Sequence, residues 1–508
     1  MNFENETFDT VIIGSGLGGL VCAAILSKEG QRVCVLEKND QVGGSLQTFQ
    51  HHGSQHDTGV HYMGSLDKGQ NLYQLFQYLG LLERLELKRL SRDAFDVVLF
   101  ENDPVAYPFA QGYENFKAQM LAIFPEEENA IDEYTRLIKA ACSQFPFYNI
   151  STAAHFDNLD LLAAPAKKTI AELTRNTKLQ SVLAGNNMLY AGVENQTPFY
   201  VHALVVNSFI ESSWRCAKGG DQLAKLLAKT IKQQGGEVMR KAAVTSIKEA
   251  DGKVAYVQLS TGEKVRGDRF ISNLHPANTL QLLDSTLLRS AYKNRISRLE
   301  NSVGSFVLYL ELEENKVPYT NSNYYYFEQE DVWRGTTCNA EDWPYTYGLF
   351  EAVPKKNPQF AEVVSIMTYM KWEEVLPWEN SHNTNLNPES RGESYELFKK
   401  AKAEKLLAVV AKKFPDLVKH IKHYEASTPL SYRDYLGYPK GSIYGVIKDY
   451  NEPIKTMISP NTRLENLFLT GQNIKLHGIL GVTLSAFVTC SAILGRAYLI
   501  EKVQAANT

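Results

Sequence analysis

The sequence predicts an α/β fold of the Rossmann type, and three features near its amino terminus carry that prediction. A short β-branched apolar run over residues 10–13 has the pattern of a fully buried parallel strand. A glycine-rich turn follows at once, and then a segment with helical periodicity over residues 20–28. A second β-rich run, residues 32–36, ends on the acid Glu37. Strand, turn, helix, strand and acid together predict the βαβ unit of a dinucleotide-binding domain.

The turn over residues 14–19 has the pattern Gly-x-Gly-x-x-Gly, in which each glycine has a physical role. Gly14 allows the tight turn, Gly16 lets backbone N–H groups approach a pyrophosphate, and Gly19 lets helix and strand pack closely. The amino terminus of the following helix adds partial positive charge beside the phosphates. The predicted nucleotide contacts of this turn are Gly14, Gly16, Leu17, Gly18 and Gly19.

The acid at the end of the second strand indicates which nucleotide fits. Glu37 lies 18 residues after Gly19, where a carboxylate accepts hydrogen bonds from ribose hydroxyls. An acid here disfavours a ribose 2′-phosphate, and Lys38, which follows it, does not replace it. We therefore predict that Glu37 and Lys38 belong to a site for NAD or FAD, and this part of the chain leaves both open.

Length and composition limit what else the chain can be. With 508 residues, 44% hydrophobic and 22% charged, it has room for about two or three domains with substantial cores. Lys plus Arg number 53 against 57 Asp plus Glu, so there is no basic excess of the kind that binds nucleic acid. The six cysteines lie far apart and form no Cys-x-x-Cys pair, which argues against a metal site and against a disulfide framework.

Neither export nor membrane insertion is indicated by the sequence. The amino-terminal stretch is acidic and polar rather than basic and apolar. The apolar segment near the carboxyl terminus is interrupted by Thr489, Ser491, Gly495 and Arg496, so no run of about 18 apolar residues occurs. We expect a cytoplasmic protein with reduced, largely buried cysteines.

Further motifs resemble those of flavin-dependent enzymes. Gly43, Gly44 and Ser45 follow soon after Glu37, as in the two-dinucleotide-binding flavoproteins. The resemblance implies FAD as the cofactor, since a second glycine pair would let more backbone approach its long pyrophosphate. Residues 57–64, Asp-Thr-Gly-Val-His-Tyr-Met-Gly, look like the retinol saturase and carotenoid isomerase branch of the phytoene desaturase family.

The resemblance to this family continues along the chain. Residues 244–247 would form a second strand near the nucleotide, with the backbone of Val244 against the adenine. Residues 437–445 are close to the retinol saturase pattern, and residues 466–473 with a helix over residues 482–494 look like the carboxy-terminal flavin motif. The resemblance therefore implies a two-dinucleotide-binding flavoprotein fold over most of the chain.

The same resemblance implies how the carboxy-terminal motif would contact flavin. Gly471 and Gln472 would lie near the ribityl chain and the phosphates. The helix start at Gly481 and Val482 would direct N–H groups at the pyrimidine end of the isoalloxazine, where reduced flavin carries negative charge. Many relatives have an acid at the position of Gln472, and an amide there still donates and accepts hydrogen bonds.

Four residues are candidates for acting on the substrate. His61 and Tyr62 lie where the family places residues beside the isoalloxazine, and Tyr62 is also a predicted flavin contact. The imidazole of His61 is a candidate proton donor because it titrates near neutral pH, with packing against the flavin as the alternative. Lys440 and Tyr444 are the second pair, with a structural role as the alternative. The aromatic residues 324–327 predict a strand or a flat apolar substrate wall.

Because the flavin motifs lie in three separate segments, a single domain that gathers them has to be discontinuous. We predict that residues 1–85, 206–299 and 456–508 form the FAD-binding domain. Residues 86–205 and 300–455 would then form an interleaved α+β substrate domain.

Together these features predict an FAD-dependent oxidoreductase that saturates or isomerises C=C bonds of a lipophilic polyene of retinoid or carotenoid type. Desaturation by the same family is not told apart from these reactions by sequence. No second nucleotide-binding pattern is found, because residues 437–445 follow no buried strand, so the electron donor or acceptor stays open.

Two other hypotheses use the same fold. One is an amine-oxidising flavoenzyme. The other is a non-catalytic lipid carrier, against which the intact glycine and Glu37 motifs argue. A lipophilic substrate also implies peripheral contact with a membrane surface.

Overall fold

The computed structural model describes residues 6–152, 159–285 and 287–508. The strands are β1 (Thr7–Ile13), β2 (Val33–Leu36), β3 (Thr48–His51), β4 (Ser54–Asp57), β5 (Met63–Gly64), β6 (Leu87–Arg89), β7 (Asp96–Phe100), β8 (Tyr107–Phe109), β9 (Ser213–Cys216), β10 (Glu237–Met239), β11 (Val244–Ala250), β12 (Lys253–Leu259), β13 (Lys264–Ser272), β14 (Leu283–Asp284), β15 (Gly304–Leu312), β16 (Asn323–Phe327), β17 (Thr346–Glu351), β18 (Val363–Met370), β19 (Ile421–Ser427) and β20 (Leu467–Leu469).

The helices are α1 (Leu17–Lys28), α2 (Asn71–Tyr78), α3 (Tyr113–Ile123), α4 (Glu128–Ser143), α5 (Pro146–Asn149), α6 (Leu159–Ala163), α7 (Ala166–Ala171), α8 (Thr177–Leu183), α9 (Phe199–Glu211), α10 (Asp221–Gln233), α11 (Pro276–Leu282), α12 (Ser290–Ser297), α13 (Glu393–Val410), α14 (Pro415–Lys419), α15 (Pro429–Leu436), α16 (Pro453–Thr456), α17 (Gly478–Leu494) and α18 (Arg496–Ala505).

One mixed sheet carries the nucleotide-binding motifs. Its strand order is β10-β2-β1-β13-β12-β11-β14, and β20 pairs with β13. Strand β1 lies parallel to both β2 and β13, and β13 lies parallel to β20. The carboxyl ends of these strands therefore meet at one edge of the sheet, which is where open α/β sheets bind ligands. Helix α1, which follows β1, packs against α10 and α17.

A second sheet has the order β19-β15-β18-β17-β16-β7-β8 and is antiparallel except where β16 pairs with β7. Its strands come from residues 96–109 and 304–427, whereas those of the first sheet come from residues 7–36, 237–284 and 467–469. The two sheets thus interleave along the chain. The small sheet β5-β9-β6 joins segments from both sides of the predicted boundary at residue 85, and the domain boundaries themselves stay a prediction.

The main helices begin earlier than the sequence pattern indicates. Helix α1 begins at Leu17 rather than at residue 20, because Gly18 and Gly19 form its first turn instead of preceding it. Helix α17 begins at Gly478 rather than at residue 482. In both cases a predicted cofactor contact moves from a loop into the first turn of a helix.

Helix α17 is a core element of the protein. Most of its side chains from Ile479 to Cys490 are buried, and it packs against α1, α5 and α18. Among the helices within the described ranges, none combines the length and the apolar character needed to cross a bilayer.

Candidate active site

A large cleft lies where the two sheets meet, with about 1660 Å³ of empty space, part of it open to solvent. Each of the five segments of the predicted domain division contributes to its lining, namely residues 1–85, 86–205, 206–299, 300–455 and 456–508. The predicted site residues that line it are Gly16, Leu17, Gly18, Gly43, Ser45, His61, Tyr62, Tyr444, Gly471, Gln472, Gly481 and Val482. Those that do not line it are Gly14, Gly19, Glu37, Lys38, Gly44, Val244 and Lys440.

One end of the cleft is a cradle of glycine backbone. A Cβ on Gly18 would lie 3.0 Å from the Cα of Gly471 and 2.6 Å from Oδ1 of Asn273. A Cβ on Gly16 would lie 2.7 Å from Nδ2 of the same asparagine, and Gly16 pairs with Gly43 in a parallel bridge. The turns after β1, β13 and β20 therefore meet here, with the side chain of Asn273 packed between the glycines. We call these five residues the glycine cradle.

Three further predicted glycines shape this turn from outside the cleft. Gly14 adopts a φ of +94°, which L side chains rarely adopt. A Cβ on Gly19 would lie 2.2 Å from the carbonyl oxygen of Gly14, and one on Gly44 would lie 3.2 Å from the Cα of Gly16. Their role is to bring backbone close to backbone, as the fingerprint requires.

Glu37 and Lys38 diverge at the end of β2. The buried Glu37 carboxylate accepts the Ser15 N–H at 3.0 Å, the Ser15 hydroxyl at 2.6 Å and the Asn39 N–H at 2.9 Å. The Lys38 ammonium donates to the carbonyl of Asp434 at 2.8 Å, on α15. The Glu37 carboxylate is thus held beside the glycine turn, whereas the Lys38 side chain extends away from it to α15.

Val244 and Lys440 also lie outside the cleft. Val244 is half-buried at the start of β11, two residues beyond Ala242, whose N–H donates to the Glu37 carbonyl at 2.7 Å. Lys440 adopts a φ of +50° on an exposed turn, and its side chain is exposed while its neighbour Tyr438 lines the cleft. The expectation that Lys440 faces the substrate is therefore corrected, because the turn directs its side chain to solvent.

The carboxy-terminal motif supplies donors to the cleft. Gly481 ends the first turn of α17 and Val482 follows it, and because residues 478–482 all line the cleft, the positive end of this helix faces the cleft, as that of α1 does at Gly18. The Nε2 atom of Gln472 is buried without a hydrogen-bond partner among the described residues. A buried donor of this kind requires an acceptor, which here can only come from a bound group or water.

His61 forms a flat wall of the cleft. Its ring stacks on Phe350 with 4.3 Å between ring centroids and 5° between planes. Burial, reinforced by the positive charge of Arg215, lowers the pKa of His61 to about 4. The imidazole is therefore neutral at pH 7. Behind the stacked pair lies a smaller polar pocket lined by Asp57, Arg215 and Lys355.

Tyr62 turns its hydroxyl into a buried polar network. The hydroxyl donates to Oδ2 of Asp96 at 2.8 Å and lies 2.6 Å from the hydroxyl of Tyr325. Both tyrosines line the cleft. Burial raises the pKa of each phenol well above its usual value, so both hydroxyls stay protonated.

Asp96, at the start of β7, is completely buried. Its carboxyl group also accepts hydrogen bonds from Nδ2 of Asn323 at 2.8 Å and Nδ2 of Asn186 at 2.6 Å. Burial raises the pKa of Asp96 to about 7, although these hydrogen bonds and the nearby Arg215 oppose the shift. Asp96 therefore titrates near neutral pH within hydrogen-bond reach of a residue of the cleft.

Sequence reasoning missed Asn273 and Asp96. Asn273 follows the apolar end of β13, and a polar residue directly after a parallel strand is a usable signal, because such strand ends converge on the ligand. Asp96 precedes the apolar residues 97–100, and an acid at the start of a buried strand is a second signal. Tyr444 was foreseen at the cleft, and its ring lies 4.3 Å from that of His477.

Comparison with solved structures identifies the class of fold. Cyclohexylamine oxidase from Brevibacterium oxydans superposes with a TM-score of 0.59 over 98% of this chain and 100% of its own, at 14% identity. The architecture is that of the oxidoreductases with a two-dinucleotide-binding fold and an interleaved second domain, as predicted. Within this class, the chain belongs to the family of flavin-containing amine oxidoreductases, which it matches over residues 17–493.

Two relatives of known activity cover almost the whole chain. All-trans-retinol 13,14-reductase from Homo sapiens is 28% identical over 535 residues, which span 97% of this chain and 86% of that protein. Chloroplastic prolycopene isomerase 1 from an Oncidium hybrid cultivar is 26% identical over 530 residues, spanning 98% and 86%. These similarities confirm the resemblance inferred from residues 57–64.

The cleft fits the flavin that the family implies. The glycine cradle leaves backbone free to approach a phosphate group, because its four glycines carry no side chain. The amino termini of α1 and α17 both face the cleft and favour negative charge. The orphaned amide of Gln472 supplies a donor that a ribityl or isoalloxazine oxygen would satisfy.

Proposed function

We propose that this protein is an FAD-dependent oxidoreductase that saturates or isomerises C=C bonds of a lipophilic polyene. The observation that carries the proposal is one continuous cleft with a glycine cradle at one end and apolar and aromatic side chains at the other. The named activities of the two relatives, on retinol and on prolycopene, support the substrate class.

FAD in particular is supported by the nucleotide end of the cleft. The paired glycine turns at Gly16 and Gly43 suit a long pyrophosphate, and the carboxylate of Glu37 lies at the strand end where a ribose is held. Gly471 and Gln472 would hold the ribityl portion, and the first turn of α17 would face the isoalloxazine. When bound, the flavin supplies hydride or single-electron chemistry.

The lining of the cleft favours a polyene over an amine. Apolar side chains dominate its wider part, among them Leu204, Val205, Phe209, Phe350, Met367 and Ile479. No Asp or Glu of the described ranges lines this cleft, so an ammonium group would find no counter-charge there. A conjugated hydrocarbon needs no counter-charge and gains by burying its apolar surface.

The residues around the cleft orient the substrate, hold protons, stabilise negative charge and exclude water. The stacked pair of His61 and Phe350 offers a flat face along which a planar polyene is oriented. The hydroxyls of Tyr62 and Tyr325 hold protons at the cleft surface. The positive end of α17 favours the negative charge of the reduced cofactor. The apolar lining excludes water from the reacting double bond.

The first test is the identity of the cofactor. Purified protein is expected to be yellow, and heating should release FAD rather than FMN, as resolved by chromatography. Colourless protein that FAD cannot reconstitute would support the lipid-carrier hypothesis instead.

The second test is turnover of a polyene. Photoreduced protein is incubated without oxygen with all-trans-retinol and, separately, with a poly-cis carotene, and the products are analysed by mass and absorbance. A gain of two hydrogens identifies saturation, and unchanged mass with a shifted spectrum identifies isomerisation. Loss of two hydrogens by the oxidised protein identifies desaturation. Hydrogen peroxide from cyclohexylamine together with inert polyenes would overturn the proposal in favour of an amine oxidase.

The lipophilic substrate also leads us to propose peripheral contact with a membrane, from which the polyene enters the cleft. Flotation with liposomes tests this, and protein that stays at the bottom of the gradient with and without anionic lipid contradicts it.

A further inference from the structure

The buried carboxyl group of Asp96 is linked to the cleft by a short chain of hydroxyls. Successive oxygen–oxygen distances are 2.8 Å from Asp96 to Tyr62 and 2.6 Å from Tyr62 to Tyr325. Asp96 and Tyr325 are fully buried and Tyr62 is only 7% exposed. A proton on this chain is therefore shielded from bulk water and reaches the cleft only through a phenol.

The groups that contact the carboxyl of Asp96 are neutral hydrogen-bond donors rather than cations that would fix its negative charge. From the element before β5 it faces Tyr62, from β16 it faces Tyr325 and Asn323, and from the turn after α8 it faces Asn186. A charged group near Asp96 is Arg215 on β9, and its guanidinium is already bonded to the Glu351 and Ser322 carbonyls and to Oδ1 of Asn323. Asp96 forms no salt bridge with any other described residue.

We propose that Tyr62 is the catalytic proton donor of the cleft and that Asp96, a positioning residue acting through Tyr62, holds the proton that replaces it. This inference rests on the proposed function in its saturating direction. The hydride of one new C–H bond would come from the bound reduced flavin, which would be oxidised, and the adjacent carbon takes the proton of the Tyr62 hydroxyl. The phenolate then takes the proton of Asp96, whose carboxylate regains one through the Tyr62 hydroxyl from water that enters the cleft between turnovers.

The other candidate donor is less suited to this step. The imidazole of His61 is neutral at pH 7, because its pKa is lowered to about 4, and its flat face is occupied by Phe350. It therefore carries no surplus proton at neutral pH. A proton given by Tyr62, in contrast, is replaced at once from a group that is still partly protonated at pH 7.

A second buried network shows what a purely structural arrangement looks like. His202 on α9 is bonded through its two ring nitrogens to the hydroxyls of Tyr134 and Tyr190, each at 2.8 Å. Burial lowers the pKa of His202 to about 3, and none of the three residues lines the large cleft. This network therefore supplies a matched control, the variant Tyr134→Phe.

The protonation of Asp96 is measured first, on the FAD-loaded protein without any polyene. Infrared difference spectra between about pH 6 and about pH 8 should show a protonated carboxyl band that disappears as pH rises and is missing in Asp96→Asn. Glu211→Gln, which alters another buried carboxyl with a raised pKa, should keep the band. Absence of a band specific to Asp96 overturns the inference, whatever the polyene experiments give.

Proton delivery is measured next, by saturation of all-trans-retinol in D₂O. Tyr62→Phe should slow the reaction about 100-fold or more, whereas Tyr134→Phe should leave it within about twofold. The wild-type rate should fall as pH rises through about 7, and Asp96→Asn should be slower and lose this dependence. Tyr325→Phe should lower the rate by at most about tenfold, because Tyr62 keeps its contact with Asp96.

The outcomes separate the two proposals. Saturation that continues at full rate in Tyr62→Phe, or a pH dependence that Asp96→Asn retains, overturns the role of this chain while the proposed function stands. If no polyene is turned over but the infrared spectra show a protonated Asp96, the proposed function is overturned. The proton on Asp96 is then real, but the reaction proposed to use it is not.

Discussion

The two ends of the cleft are built in opposite ways. The glycine cradle consists of backbone, and its geometry depends on the absence of side chains at Gly16, Gly18 and Gly471. The other end consists of side chains, and its geometry depends on hydrogen bonds from Tyr62 to Asp96 and onward. Added side-chain atoms should therefore disrupt the glycine cradle, whereas removal of hydrogen-bonding atoms should disrupt the other end.

This difference teaches where each end is vulnerable. At the cradle, an added Cβ would clash with the Asn273 side chain and, at Gly18, also with the backbone of Gly471. At the polar end, a substitution leaves buried donors and acceptors unpaired, and the effect depends on pH because Asp96 titrates near neutral pH. The predictions below test these two kinds of sensitivity against each other.

The largest effect is expected for Gly18→Ala. The new methyl group would lie 2.6 Å from Asn273 Oδ1 and 3.0 Å from the Cα of Gly471, so the glycine cradle has to shift to accommodate it. We expect flavin affinity to fall at least about tenfold, measured by flavin content after dialysis. The control is Gly235→Ala, which carries backbone strain at φ +85° but has open space around it. Equal loss of flavin in both variants would mean that a general loss of stability, not the cradle, is responsible.

The second effect concerns Asp96 and pH. Its pKa is raised in the folded state to about 7, so its contribution to stability is present at low pH and is lost as pH rises towards 7. Asp96→Asn removes this dependence. The difference in unfolding free energy between the variant and wild type should therefore change in favour of the variant by at least about 1 kcal/mol from pH 5 to pH 8. Urea unfolding at the two pH values measures it. A variant whose stability differs from wild type by the same amount at both values would contradict the assignment, and the exposed Asp93→Asn should show that behaviour.

A smaller difference is expected between two buried tyrosines. Tyr62→Phe removes one of the hydrogen bonds to Asp96 and should lower the unfolding free energy by about 1–2 kcal/mol. Tyr347→Phe removes a buried hydroxyl that has no partner among the described residues, so stability should stay within about 0.5 kcal/mol or rise. Thermal unfolding of both variants provides the comparison. If Tyr347→Phe is the more destabilising, the network around Tyr62 contributes less than its geometry indicates.

The smallest effect is expected for Lys440→Ala. The side chain is exposed and lies outside the cleft, so stability should change by no more than about 0.5 kcal/mol and flavin content should not change. Retained folding with strongly reduced polyene turnover would show that Lys440 acts on the substrate after all.

The glycines of the cradle, though not Asn273, could be predicted from sequence because each lies in a local glycine-rich motif. Residues 14–19 specify a turn whose neighbours along the chain are also its neighbours in space, and the same holds for residues 43–45. The fold class follows from the same unit. The network at the other end could not be predicted, because Tyr62, Asp96 and Tyr325 come from three separate segments. The pairing of β7 with β16 brings Asp96 and Tyr325 together, and Tyr62 joins them through its hydroxyl. No spacing within one segment records these contacts, and the exposure of Lys440 depends on a left-handed turn at Lys440 and Gly441.

The close contact between Gly18 and Gly471 also has a consequence for the synthesis of the protein. The two glycines are about 450 residues apart, so at roughly 5–20 residues per second the ribosome needs tens of seconds to make the second after the first. During that interval the amino-terminal unit has emerged without its counterpart. The meeting of these two glycine turns is therefore a late event, possible only after residue 471 has left the exit tunnel.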